Sequence, residues 1–313
     1  MGLFRHTING WSSWGNVFQS IEAFAPIIRL IYEKENLQLE HLEHLTPGTN
    51  AVFKVGNTVC KIFAPKQSGL DSQSDYDTEL FGLKRASLLG VSAPKLIASG
   101  KIHDRYEFLY FIMEYIDGKS LGDTEGDLTD LEKEEIGRKL RKITDKLNTP
   151  CKRFNHWNVV NRELCNKRWN KLQDSLNEER LAYLRNLQIH QMVYVHGDLN
   201  RDNVLLDKDS NLYIIDFADA LLAPAEYELV ALCGLFDYSS AYMRGYFGKG
   251  YNAGEIAKKY YNGILLHDFG ADIILERFGA SDELMGLDIL KQRIFDVFEQ
   301  GKGFGRGRDT PLP

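Results

Sequence analysis

His196-Gly-Asp-Leu-Asn-Arg-Asp-Asn203, followed thirteen residues after Asn203 by Asp216-Phe-Ala-Asp219, is the stretch on which the reading of this chain turns. Between the two segments lie short strand-like runs, Val204-Leu-Leu206 and Tyr213-Ile-Ile215, around the turn-rich Asp207-Lys-Asp-Ser-Asn211. A hairpin there brings three oxygen-bearing side chains together: Asp198, Asn203 and Asp216. Oxygen donors of this kind suit Mg²⁺, a hard cation that prefers carboxylates, amides and phosphate oxygens to nitrogen or sulfur. A carboxylate beside such a cation can orient a hydroxyl and accept its proton while phosphate charge is neutralised. The chemistry this suggests is phosphoryl transfer.

Working outward, the N-terminal third alternates helix and strand signals. Phe18, Ile21, Phe24, Ile27, Ile28 and Ile31 recur at helical spacing, which predicts an amphipathic helix over 17–35. Ala51–Val55 and Thr58–Phe63 are β-rich and separated by Gly56-Asn57, a tight-hairpin signal. Ser74–Leu89 reads as a helix with Ser74 and Asp77 spaced as a capping box and a stop at Gly90. Strand-like runs follow at Lys95–Ser99 and Tyr106–Met113. Beyond Gly118 helices dominate: Thr129–Leu147, opened by the capping-box pair Thr129 and Glu132, a long pattern over Asn161–Leu187, and most of Ala225–Gln300. Met192–Val195 is a further strand-like run. A strand-rich segment followed by a helix-rich one predicts an α+β fold. The boundaries expected are 1–113 for an N-terminal helix and small antiparallel sheet, 114–119 for a connection, 120–300 for a helical part, and 301–313 for a flexible tail.

Composition narrows the class. The 313 residues are 43% apolar and 26% charged, with 38 basic against 44 acidic side chains, which excludes a disordered, collagen-like or small disulfide-framework chain. A net charge of −6 lacks the cationic surplus of a nucleic-acid partner. Cys60, Cys151, Cys165 and Cys233 show none of the paired spacing of zinc or redox motifs and read as free thiols. The start carries no basic segment leading into an apolar run, and no apolar stretch approaches spanning length. The expectation is a cytoplasmic protein with no membrane partner.

On these residues the chain resembles the kinase-like phosphotransferase superfamily, and within it the aminoglycoside phosphotransferase and choline kinase branch. Asp198 and Asn203 match the catalytic loop D-x-x-x-x-N, and Asp216 stands where the metal-binding aspartate of the next strand belongs. Lys61, in Thr-Val-Cys-Lys-Ile-Phe, resembles the third-strand lysine that pairs with the α- and β-phosphates. Glu79 resembles the helix carboxylate that holds that lysine, with Asp75 and Asp77 as rivals. Gly48-Thr49-Asn50 resembles the phosphate-covering turn, and Met113-Glu-Tyr-Ile116 the hinge that receives adenine, through Glu114 and Ile116. The resemblance spans about residues 45–235. It implies a two-lobed protein-kinase-like fold: a small antiparallel sheet with one helix, then a larger, mostly helical lobe. It further implies ATP or GTP as phosphoryl donor, Mg²⁺ as cofactor, Asp198 as the catalytic residue, and Asn203 with Asp216 as metal ligands. One site would then draw on both segments of the chain.

Departures from protein kinases point to a small hydroxylated substrate. Gly197 replaces the arginine that reads a phosphorylated activation loop. Leu221-Leu-Ala-Pro224 runs directly into an apparent helix, Glu226–Leu232, leaving no room for a long activation loop. The family's usual aspartate near that helix start is replaced by a choice of Glu226 or Glu228. Asn200 and Arg201 replace the common His-Pro pair, and Arg201 reads as either solvated or phosphate-contacting. His196 is expected to support the loop by hydrogen bonding. The literal D-F-G in His267-Asp-Phe-Gly270 lies too far along the chain to share a metal with Asn203.

Residues 114–135 hold nine acidic side chains against Lys119 and Lys133. They read either as a rim for a polycation such as an aminoglycoside or as a solvated loop and acidic helix start. Trp157, Trp169, Tyr227, Phe236, Tyr238, Tyr242 and Tyr246 read as a pocket for choline-like, macrolide or sugar substrates, or as core. The expected function is therefore an ATP- or GTP-dependent kinase of a small hydroxylated compound, aminoglycoside-like first, choline, amino-alcohol, macrolide or sugar next. A catalytically idle nucleotide-binding scaffold is the alternative from another class, and the complete Lys61, Asp198, Asn203 and Asp216 set argues against it.

Overall fold

The computed structural model of the chain describes residues 2–46, 48–124, 126 and 128–300. The chain forms two compact units, one comprising the segment up to Gly118 together with Leu205–Asp219, the other Lys119–Val204 together with the chain from Ala220 onward.

In the first unit, α1 (Trp11–Gly15) and α2 (Ile21–Lys34) precede a five-stranded sheet of β1 (Leu42–His44), β2 (Ala51–Val55), β3 (Thr58–Ile62), β4 (Leu96–His103) and β5 (Glu107–Glu114), ordered β1-β2-β3-β5-β4. Every neighbouring pair is antiparallel. The β2–β3 hairpin turns at Gly56-Asn57 as predicted. Gly56 has φ +59°, a left-handed conformation that glycine adopts without strain. The first long helix starts at Ile21 rather than residue 17, because Ser20 accepts the Ala23 N–H at 3.2 Å and caps it there. Its apolar face, Phe24, Ile27, Ile28 and Ile31, is fully buried in a core shared with Trp14, Phe53 and Phe108.

The helix predicted from Ser74 is α3 (Ser72–Leu89), and the capping box does not form: Asp71 is the N-cap, without a side-chain bond, and Ser74 lies inside the helix. It ends at Gly90, φ +61°, in the left-handed cap conformation. Two strands from later in the chain, β8 (Val204–Asp207) and β9 (Leu212–Ile214), pair with each other, and the Ile214 N–H donates to the Ser92 carbonyl at 3.0 Å.

The second unit holds β6 (Gly118–Ser120, from Lys119 on), α4 (Leu121–Thr124), α5 (Asp130–Leu147), α6 (Val159–Leu164), α7 (Asp174–Asn186) and β7 (Val193–Val195). After the 205–219 excursion come β10 (Leu221–Ala223), antiparallel to β7, and five helices: α8 (Ala225–Phe236), α9 (Ser240–Phe247), α10 (Ala253–Leu266), α11 (Gly270–Arg277) and α12 (Leu287–Gln300). The Thr129–Glu132 capping box forms in full. The single helix expected over 161–187 is instead α6, a 3₁₀ turn at Lys167–Lys171, and α7. The Asn158 and Asn166 side chains are the N-caps of the first two, accepting N–H bonds at 3.1 and 3.0 Å, and the second of these starts a new turn inside the expected run. Packed among them is a buried ion pair: Arg180 reaches Glu163 at 3.0 Å and lies 3.7 Å from the Trp169 ring centroid.

That arrangement resolves the aromatic residues. Trp169, Tyr227, Phe236, Tyr238, Tyr242 and Tyr246 are buried, with Phe236 stacked on Tyr242 and Tyr238 bonded to Tyr260, so they are core; Trp157 is partly exposed beneath Arg162. The acidic segment is also partly neutralised from within. Glu132 caps α5, Glu134 meets Arg244 at 2.7 Å, and Glu135 meets Arg138 at 2.6 Å. Glu125, Asp127 and the tail expected over 301–313 lie outside the described residues. Among the described residues no helix is long and apolar enough to cross a membrane.

Candidate active site

The sequence-predicted residues fall into two groups, one in each unit. In the first, the alternation of β3 turns Lys61 inward between Cys60 and Ile62, where it is 5% exposed. Its Nζ lies 2.7 Å from Glu79 Oε2 and 2.9 Å from Asp216 Oδ1. Burial works against the Lys61 charge, but Asp216 and Glu79 outweigh it and hold the ammonium above the ordinary lysine range. Among the three candidate carboxylates on α3, the lysine's partner is Glu79, itself 2% exposed. Asp77 instead accepts from Gln73 at 3.0 Å. Asp75 is half-buried, and burial together with neighbouring Asp219 and Asp71 pushes its carboxyl up to about 6.

Asp216 follows β9 with φ +59°, a left-handed conformation unusual for a non-glycine residue and common where a side chain is presented for function. Its side chain remains 46% exposed while one oxygen holds Lys61.

The turn at 48–50 is fixed from both sides. Trp14 Nε1 donates to the Thr49 carbonyl at 2.8 Å, and Asn50 Oδ1 accepts the buried Ala64 N–H at 3.1 Å. The Asn50 side chain therefore anchors the turn, and Gly48 leaves open space around it. Nothing local in the sequence marks Trp14 as part of this site, because its partner lies 35 residues away. Glu114 closes β5 opposite Thr58 and donates its N–H to the Lys95 carbonyl at 2.9 Å. The Tyr115 N–H reaches the Asn57 carbonyl at 3.0 Å, and the carbonyl of buried Ile116 accepts from Gly118 at 3.0 Å.

In the second unit the loop after β7 brings Asp198 and Asn203 together. Asn203 Nδ2 donates to the Asp198 carbonyl at 2.8 Å and to its Oδ2 at 3.0 Å. Asn200 Nδ2 donates to Asp198 Oδ1 at 3.0 Å. His196 is fully buried, and its Nδ1 receives the Asp198 N–H at 3.4 Å. The choice between Glu226 and Glu228 is settled by geometry. Glu228, 2% exposed, takes the His196 N–H at 2.6 Å, the Gly197 N–H at 3.4 Å and Asn148 Nδ2 at 3.3 Å. Burial pushes its carboxyl up to about 7 against these hydrogen bonds. Gly197 itself has φ +86°. Arg201 Nε donates to the Leu235 carbonyl at 2.7 Å, in the last turn of α8, where cations are favoured.

In the D-F-G triplet at 268–270, Asp268 is bound by Arg162 at 2.8 Å. The adjoining His267 is buried, stacked on Tyr227 at 4.4 Å, and held neutral by burial, which pushes it down to about 3.

Among the described residues no three or more His, Cys, Asp or Glu side chains converge on a metal position. The donor chemistry nonetheless fits Mg²⁺, which is commonly held by one or two carboxylates together with substrate phosphates rather than by a full protein cage. Asp216 offers a carboxylate. Asn203 turns its amide nitrogen to Asp198, so the oxygen donor of its amide is Oδ1.

Solved structures share this architecture. The GDP and kanamycin complex of APH(2")-IIia matches with a TM-score of 0.58 at 18% identity, covering 89% of this chain and 98% of that one. A thermostable mutant of aminoglycoside phosphotransferase APH(4)-Ia matches with a TM-score of 0.56 at 14% identity, covering 88% and 99%. A choline/ethanolamine kinase family protein from Mesorhizobium loti matches with a TM-score of 0.51 at 15% identity, covering 83% and 87%. The fold is thus the protein-kinase-like fold of small-molecule phosphotransferases. The family model of the phosphotransferase enzyme family, APH, matches residues 48–258, well over half the chain, and the protein belongs to that family. No curated protein matches the chain.

Proposed function

We propose that this protein transfers the γ-phosphoryl group of ATP or GTP to a hydroxyl of a small molecule. The observation that carries the reading is the buried Lys61 ammonium held at 2.7 and 2.9 Å by Glu79 and Asp216, a charge kept in place where no structural need calls for one. In this reading Lys61 meets the nucleotide's phosphates, with the 48–50 turn, Glu114 and Ile116 contributing to nucleotide binding. Asp216 and Asn203 would hold Mg²⁺, which would supply neutralising charge for the phosphate oxygens. Asp198 orients the acceptor hydroxyl and takes its proton as the oxygen–phosphorus bond forms and the bond to the departing nucleoside diphosphate breaks.

An aminoglycoside-type acceptor is the first choice, because solved structures of this fold are named as complexes with kanamycin, streptomycin and hygromycin B. Choline or another amino alcohol is the second, on the likeness to the choline/ethanolamine kinase family protein. The four free cysteines accord with a reducing, cytoplasmic setting.

The test is nucleotide turnover against a panel of aminoglycosides, macrolides, choline and ethanolamine. Asp198→Asn should leave Mg²⁺-nucleotide affinity within about threefold and lower kcat by about 10³ or more, on the scale of a lost catalytic base. Asp216→Asn should weaken Mg²⁺-nucleotide binding as well. The reverse pattern contradicts these roles, and absence of any turnover across the panel favours the idle scaffold.

A further inference from the structure

Asp198 is held between two neutral amides, and one of them occupies a position where the resemblance leads one to expect histidine. Asn200 Oδ1 accepts the Asp202 N–H at 2.9 Å and the Asn203 N–H at 3.1 Å. Those two donors use both lone pairs of the amide oxygen, which fixes the orientation of the group. Only Nδ2 is left to face Asp198, and it donates to Oδ1 at 3.0 Å. Asn203 Nδ2 holds the other oxygen at 3.0 Å.

A carboxylate on a free side chain samples a broad, two-fold torsion about its last bond. With a donor on each oxygen that rotation is stopped. A side-chain amide does both tasks with one group. Histidine brings one acceptor nitrogen for two backbone donors, and lysine or arginine brings none.

We propose that Asn200 is a positioning residue: it ties the turn of the loop to the orientation of the Asp198 carboxylate, and so aims the group that accepts the hydroxyl proton. The inference rests on the phosphotransferase reading of Asp198. A residue that merely capped the turn would make the same two bonds through Oδ1, so the deciding contact is the one through Nδ2.

Asn200→Asp separates the two roles. It keeps an oxygen for the Asp202 and Asn203 N–H groups but sets an anionic oxygen against Asp198 Oδ1. The assay is Mg²⁺-dependent nucleoside diphosphate release with water as acceptor, which requires no knowledge of the natural substrate. The expected result is a kcat 10- to 100-fold below wild type, the scale on which a misaimed group loses rate, with nucleotide KM within threefold and thermal midpoint nearly unchanged. In an Asp198→Asn background the same substitution should change the residual rate by less than twofold, because Asn200 acts through Asp198. Asn200→Ala, which removes both roles, should lower kcat and the thermal midpoint together.

Wild-type kcat in Asn200→Asp, or an equal further loss in the Asp198→Asn background, overturns the proposal. If Asp198→Asn itself retains wild-type turnover, the reading of Asp198 fails instead. If wild type releases no nucleoside diphosphate from ATP or GTP, both fail.

Discussion

Glu228→Gln tests whether burial or hydrogen bonding governs the carboxylate that grips the loop after β7. Glu228 is 2% exposed and receives three donors, from His196, Gly197 and Asn148. Glutamine can keep an oxygen where Oε2 meets His196 and Asn148, but its NH₂ then opposes the Gly197 N–H. Leaving that buried donor unpaired costs about 1–3 kcal/mol. Against this stands the burial of the acid, which raises its pKa from 4.5 to about 7 in the folded chain. A folded state that binds the proton more tightly than the unfolded one is favoured in acid. The stability it contributes is complete below about pH 4.5 and is lost as pH rises through 7. At about 1.4 kcal/mol per unit, the loss totals roughly 3 kcal/mol.

Glutamine does not titrate, so other groups cancel when the two proteins are compared. The Glu228→Gln penalty should therefore be largest near pH 5, shrink by roughly 3 kcal/mol toward pH 8, and approach zero or reverse there. Urea unfolding of both proteins at pH 5, 6, 7 and 8 measures it. A penalty that grows as pH rises would refute the reasoning, because it would mean the loop's N–H donors, rather than burial, decide the state of this carboxyl.

Three further outcomes are expected. Lys61→Met leaves Glu79 buried beside Asp216 without its cation and should cost about 3–5 kcal/mol by chemical denaturation, most of it recovered in Lys61→Met/Glu79→Leu. Thr129→Ala breaks the α5 capping box and should cost about 1 kcal/mol, read from the thermal midpoint. At Gly137 a Cβ would lie 2.5 Å from the Tyr242 carbonyl oxygen, so Gly137→Ala must force α5 from α9; a loss of about 1–3 kcal/mol is expected by denaturation.

Legibility in the sequence followed the range of the interactions. The β2–β3 hairpin and the α5 cap were readable because Gly56-Asn57 and Thr129–Glu132 act within a few residues. The same local logic misled at Ser74, whose spacing to Asp77 matches a capping box although the helix begins at Ser72. It also ran α6 and α7 together, since apolar periodicity passes over the polar cap Asn166 between them. The three-residue β10 carries no pattern of its own and exists by pairing with β7. At the site, Lys61 and Asp216 stood out by residue type and spacing. Which acid on α3 meets the lysine, and whether Glu226 or Glu228 meets the loop, depend on burial and on partners far along the chain. Trp14 at the Thr49 carbonyl is legible only in three dimensions.

The division of the chain has a consequence for how it folds during synthesis. The first unit is interrupted by residues 119–204 and completed only by Leu205–Asp219. Lys61 and Glu79 leave the ribosome early, yet the second carboxylate at the ammonium, Asp216, lies 155 residues beyond the lysine. An N-terminal fragment ending at Gly118 therefore holds the Lys61 ammonium with only one of its two carboxylates: it has the sheet but neither β8, β9 nor Asp216. Domains generally fold as units in order of emergence. Here the earlier unit must wait for chain that follows the whole of α5–α7, so the two units are interleaved along the chain.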